Sequence, residues 1–233
     1  MIPTRRKRLY IYGLALIVGM SFFLLSNVPT EVTIEDKRAL PVILKGAYNN
    51  GSKGNSMSFN EQIQTIKDIF SAIRQYGSST PFRHYPPGKT REPSDFLNAP
   101  SLVCHTITRS LEKALIHRGF EIRHIFVLET KGEGIWSVFK SNIESHAIVE
   151  VKTERGWLAL DPHFNQIYFS GQVTYGVDQI DQLHLPKHPI FKKRHLIVYG
   201  LYSRHGKHYP PFIRIPEINW VDFLTISNFL IRG

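Results

Sequence analysis

A chain of 233 residues, 42% of them hydrophobic, has room for one domain with a packed core plus a short targeting segment, and its length excludes two large domains. The 29 Lys and Arg against 19 Asp and Glu give a formal charge of +10, which favours acidic partners and says nothing about fold. The single cysteine, Cys104, excludes an intramolecular disulfide and any multi-cysteine zinc site.

At the start of the chain, Arg5, Arg6, Lys7 and Arg8 precede an uncharged stretch from Leu9 to Val28. That length and that flank predict one transmembrane helix with a cytoplasmic N-terminus and the rest of the chain extracytoplasmic, in a periplasmic or extracellular space. Ser26-Asn27-Val28-Pro29 is a poor match to a small-residue cleavage site, so the segment is expected to remain as an anchor. From there to Ser58 the mixture of charges with Asn49-Asn50-Gly51-Ser52 reads as a tether.

Ser58 is placed to cap a helix running to Tyr76, with Ile63, Ile66, Ile69 or Phe70, and Ile73 at helical spacing and Gly77 as its stop. Residues 77–93, rich in Pro and Gly, predict a loop. A second helix opens near Pro100-Ser101, carries the stripe Val103, Ile107, Leu111 and Leu115, and stops at Gly119. Cys104 then lies in its first turn. Residues 121–130, 145–151 and 157–161 read as strands, which makes the domain α+β.

Three residues in this order can carry thiol chemistry. A helix N-terminus offers unpaired N–H groups and a positive dipole end that favour the thiolate of Cys104. His146 and Asp161 lie on two strands joined by the turn at 152–156, so an antiparallel hairpin sets them opposite or nearly opposite each other. A carboxylate there would fix the imidazole tautomer and stabilise the imidazolium formed beside a nucleophile. The backbone N–H of Cys104 and the side-chain amide of Asn98 are the candidate oxyanion donors. His105, about 100° further round the helix, is expected to point away from Cys104, and His163 to rim the cleft. His184, His188, His205 and His208 lie in Pro- and Lys-rich stretches without helical spacing or nearby carboxylates, so they read as solvated loop and no metal site is expected.

The segments Ser101 to Leu115 with Gly119 and Arg123, Ser145-His-Ala-Ile-Val-Glu-Val, and Gly156-Trp-Leu-Ala-Leu-Asp-Pro together resemble the transglutaminase-like superfamily. The resemblance covers roughly residues 60–165. It implies a papain-like core, with the cysteine helix packed on an antiparallel sheet, and the roles of nucleophile for Cys104, base for His146 and orienting carboxylate for Asp161. Trp157 and Pro162 look structural. Val103 and His105 depart from the Gly and the small or aromatic residue that commonly flank the family's cysteine, which bears on substrate preference.

The expected organisation is therefore a tip and transmembrane anchor at 1–29, a tether at 30–58, a transglutaminase-like catalytic domain at 59–185 and a basic, aromatic extension at 186–233 packing on it. The expected function is a membrane-anchored thiol enzyme that forms an acyl-enzyme at Cys104, a protease, amidase or acyl transferase acting on peptide or protein amides without a cofactor. The alternative is a non-catalytic module of the same kind that binds peptide or anionic glycan. Lys187, Lys192, Lys193, Arg194, Arg204, Lys207 and Arg214 would face anionic lipid or glycan rather than nucleic acid, and the apolar run from Trp220 to Ile231 would close the core.

Overall fold

The computed structural model describes residues 5–47, 53–79, 91–140, 142–209, 213–225 and 230–232. Side chains at 5–9, 46, 139, 205–209, 213–214 and 230–231 lie outside the description, as do residues 80–90 of the loop predicted at 77–93 and residues 226–229, so the readings of His205, His208, Lys207, Arg214 and Phe229 are not addressed. The described residues form α-helices α1 (Arg5–Ser26), α2 (Ile34–Leu44), α3 (Phe59–Gly77), α4 (Pro93–Asn98), α5 (Cys104–His117) and α6 (Trp220–Thr225). Strands β1 (Ile122–Glu129), β2 (Ser145–Thr153), β3 (Gly156–Asp161), β4 (Gln166–Ile167), β7 (His195–Tyr199) and β10 (Leu230–Arg232) form one antiparallel sheet in the order β10-β7-β1-β2-β3-β4. Two small hairpins, β5 (Phe169–Ser170) with β6 (Val173–Thr174) and β8 (Leu201–Tyr209) with β9 (Ile213–Ile218), complete an α+β fold.

Helices α2 to α5 cover one face of the sheet. Ile66, Ile69 and Ile73 of α3 and Ile107, Leu111 and Leu115 of α5 share a core with Val149 and Val151 of β2 and Leu158 and Leu160 of β3. The other face is covered by the loops after β3, where Tyr168, Val177, Ile180, Ile190 and Phe191 pack on Ile125, Val127, Ile148 and Ala159. Both faces of β2 are therefore buried, which explains a nearly unbroken buried run in place of the polar-apolar alternation of a half-exposed strand. The Ser58 N–H donates to Glu61 at 2.8 Å and opens α3 as expected.

Two expectations about the N-terminal region are corrected. Among the described residues no helix is long and apolar enough to cross a membrane, so the expected transmembrane anchor and the extracytoplasmic placement that rested on it are not supported. The last turn of α1 is committed to the domain: Ser26 is buried and accepts from Trp220 Nε1 at 2.9 Å, Phe23 stacks on Trp220 with centroids 5.3 Å apart, and the Val28 N–H donates to the Ile218 carbonyl at 3.0 Å.

The second correction concerns the tether. Residues 34–44 form α2, closed at its start by reciprocal bonds between Thr33 and Asp36, and Ala39, Leu40, Ile43 and Leu44 are buried in the helical core. The C-terminal extension is likewise part of the fold, because β7 lies inside the main sheet between β1 and β10.

Candidate active site

Cys104 is the first residue of α5 and is partly buried, with Val103 as the preceding cap. The first bonds to Val103 come from the N–H groups of Thr106 and Ile107, so those of Cys104 and His105 open the helix without an intrahelical acceptor. His146 is the second residue of β2 and Asp161 the last of β3. The register pairs Val149 with Leu160 and Thr153 with Gly156 across a two-residue turn, so the residue opposite Asp161 is Ile148 and His146 is its diagonal neighbour. Strand parity puts His146 with Ile148, and Asp161 with Ala159, on one face. Side chains at diagonal positions remain within reach, and the His146 Nε2–H donates to Asp161 Oδ2 at 2.7 Å with both groups buried. The other carboxylate oxygen, Oδ1, accepts from the Phe164 N–H at 2.9 Å.

The side chains of both His105 and His146 act on the Cys104 thiol and lower its pKa. His105 does not point away, contrary to the helical-wheel expectation. Burial on its own pushes the thiol up, but the hydrogen bonds and charge of the two histidines outweigh it and hold the thiol well below its ordinary value. For His146, burial acts downwards, and the Asp161 carboxylate together with the thiolate more than reverses it, raising the imidazole to about 9. The two shifts together favour a thiolate beside an imidazolium.

Other residues complete the surroundings. His163 Nδ1–H donates to the Leu102 carbonyl at 2.6 Å, tying the end of β3 to the approach to α5, and its ring centroid is 5.6 Å from that of His146. Arg74 of α3 donates to the carbonyls of Pro162 and His163, fixing the same loop from the helical side. Trp157 stacks under Arg123 at 3.7 Å, a packing role.

One sequence reading is corrected at this site, that of His188. Asn98 ends α4 and is exposed, and one N–H of its amide donates to the Ser94 carbonyl of its own helix at 2.9 Å. His188, read as solvated loop, is partly buried and lies on His146. No spacing in the sequence foretells that contact, since His188 reaches the site on a loop more than forty residues downstream. Among the described residues no group of three His, Cys, Asp or Glu side chains is placed to hold a metal ion.

The chain matches no protein-family model, and neither a curated protein nor a solved structure gives a significant match.

Proposed function

We propose that this protein is a thiol enzyme that acylates Cys104, acting on peptide amide bonds as a protease, amidase or acyl transferase of the transglutaminase-like kind. The observation that carries the reading is the buried carboxylate of Asp161 2.7 Å from the His146 imidazole, with the Cys104 thiol lowered by that imidazole. In that reading the Cys104 sulfur attacks the carbonyl carbon of an amide. The developing oxyanion is met by the open N–H groups at the start of α5. The His146 imidazolium passes its Nδ1 proton to the departing amine nitrogen, the C–N bond breaks and a thioester remains. His146, now neutral, takes a proton from water or an incoming amine, which attacks the thioester and expels the Cys104 thiolate. Asp161 holds the imidazole in place through both half-reactions.

The experiment is mass spectrometry of the full chain after incubation with a peptide library, together with the pH dependence of iodoacetamide labelling. A thioester adduct on Cys104, and labelling that persists well below the ordinary thiol range of about 8.5, are the expected results. Replacing His146 with Ala moves the labelling profile up, and Cys104→Ser abolishes turnover. A wild-type profile that coincides with an unperturbed thiol, with no adduct, overturns the enzymatic reading in favour of a peptide- or glycan-binding module.

A further inference from the structure

On the loop-covered face of β2, His146 and Glu150 stand either side of Ile148, about 13 Å apart along the strand. The segment 176–193 lies over both. Towards one end the Val177 N–H donates to Glu150 Oε1 at 2.7 Å, and towards the other His188 stacks on His146. Between these two points Val177 and Ile180 are buried against Ile148 and Ala159, and beyond His188 the side chains of Ile190 and Phe191 continue the same packing. Lys187 Nζ donates to the carbonyls of Ile180, Asp181 and Leu183 at 3.0, 2.6 and 2.9 Å, which ties the stretch from 180 to 187 into one unit. His188 is fixed to that unit by the next peptide bond, and its Nδ1 and carbonyl accept from the Ile190 and Phe191 N–H groups.

The contact at Glu150 is unusually close for a buried carboxyl. Gly176 has φ −74°, which any residue adopts, so what requires glycine there is space: a Cβ would lie 2.9 Å from Glu150 Oε1 and 2.9 Å from Asp178 Oδ1. The charged groups that act on Glu150 are Arg123 of β1, Lys152 of β2 and Asp178 of the segment itself, and the Tyr199 hydroxyl lies towards it from β7. Both cations are laid on the Trp157 ring, 3.7 and 5.0 Å from its centroid. Ionised, Glu150 would be a buried charge beside a second carboxylate, and lifting the backbone at 176–178 is what admits water to it. Burial accordingly raises its carboxyl to about 7, against the Val177 bond and the two cations.

We infer that Glu150 is a positioning residue for the thiol site: its bond to Val177 latches the segment 176–193, the latched segment sets His188 on His146, and ionisation of Glu150 loosens both contacts together. That His188 matters to chemistry rests on the thiol-enzyme reading of Cys104 and His146; the latch itself does not.

The test is amide hydrogen exchange of the full chain against Glu150→Gln, which keeps an acceptor for Val177 and cannot ionise, read at Val177 for the latch and at Ile190 and Phe191 for the His188 end. Comparison at equal pH cancels the intrinsic pH dependence of exchange. The ratio of wild-type to variant exchange is expected to grow about tenfold or more from pH 5 to pH 8 and to level off above about 7, at all three amides. Gly176→Ala places its Cβ against both carboxylates and is expected to speed exchange at the same amides even at pH 5 and to displace the His146 ring resonances, a comparison that stands if Glu150→Gln does not fold. A ratio flat with pH, a response at Val177 that leaves Ile190 and Phe191 unchanged, or His146 resonances unmoved in Gly176→Ala overturns the inference. Iodoacetamide labelling of wild type at pH 6 reports separately on the thiol: an unperturbed cysteine there removes the enzymatic reading, while exchange still decides the latch.

Discussion

His188 lies flat on His146, with ring centroids 4.0 Å apart and planes 8° from parallel. The tautomer of His188 is set by the Ile190 N–H, which donates to its Nδ1 at 3.3 Å, and Phe164 meets its ring edge-on at 5.8 Å. Burial and the neighbouring charge of His146 push His188 down to about 4, so a neutral ring faces the imidazolium. A fixed positive charge at position 188 would oppose that imidazolium. His188→Lys is therefore expected to slow Cys104 alkylation at neutral pH about tenfold, on the scale of a like charge a few ångströms away, whereas His188→Phe keeps the stack and stays near wild type. Equal rates for the two variants would show that the stack has no electrostatic part in the site.

The thiolate and imidazolium also predict the shape of the pH-stability curve. The His146 contribution is fully present below the ordinary imidazole value of about 6.5 and is lost as pH rises through about 9. The Cys104 contribution is present above the ordinary thiol value of about 8.5 and is lost as pH falls toward its lowered native value. Together they place the most favourable window between about 6.5 and 8.5. Thermal melts of wild type and Asp161→Asn across pH 5 to 10 check this. The variant should lose most of the alkaline decline, and an unchanged decline would mean that another group causes it.

Glu150, on the same strand as His146, is an opposite case. Burial raises its carboxyl to about 7, partly offset by the Val177 N–H that donates to it at 2.7 Å. A raised carboxyl favours the native state fully below its ordinary value of about 4.3, and that advantage is lost as pH rises through about 7. Glu150→Gln retains an acceptor for Val177 without the buried charge. It is expected to be more stable than wild type at pH 8, by on the order of 2 kcal/mol, and to show little difference at pH 4, measured by urea unfolding at the two values.

Arg109 and Lys113 hold the segment between α1 and α2 against α5 by bonds to the carbonyls of Pro29 and Glu31. Removing one partner of such a buried network leaves uncompensated carboxylates, at a cost of about 3 to 5 kcal/mol. Arg109→Met should accordingly lower stability by that order and expose residues 28–33 to limited proteolysis. A variant that is destabilised with the segment still protected would place the loss in the Glu112 network instead.

Much of the helical layer and of the hairpin was legible in the sequence, because the information is local. Ile63 to Ile73 and Ile107 to Leu115 keep helical spacing, Ser58 and Glu61 mark a start, and a short turn joins two apolar runs at His146 and Asp161. The α2 helix had a comparable signal in Thr33 and Asp36, but Pro41 and the surrounding charges obscured it. Arg109, Glu112 and Lys113 fall where the polar side of an amphipathic helix is expected, and they are buried because Tyr202 and the Pro29 segment close over them. That covering is long-range, as are the arrival of His188 on His146 and the insertion of β7 beside β1. No local pattern encodes these contacts.

The position of β7 has a consequence for the order in which the molecule is made. Its neighbour β1 ends some sixty-five residues earlier, so the centre of the sheet stays open until residues 195–199 have been synthesised, and His188 arrives only shortly before them. Vectorial synthesis therefore delivers Cys104, His146 and Asp161 well before the layer that buries them. A nascent chain paused short of β7 should carry an ordinary, slowly alkylated cysteine, and the thiol should acquire its reactivity only when the late strand locks into place.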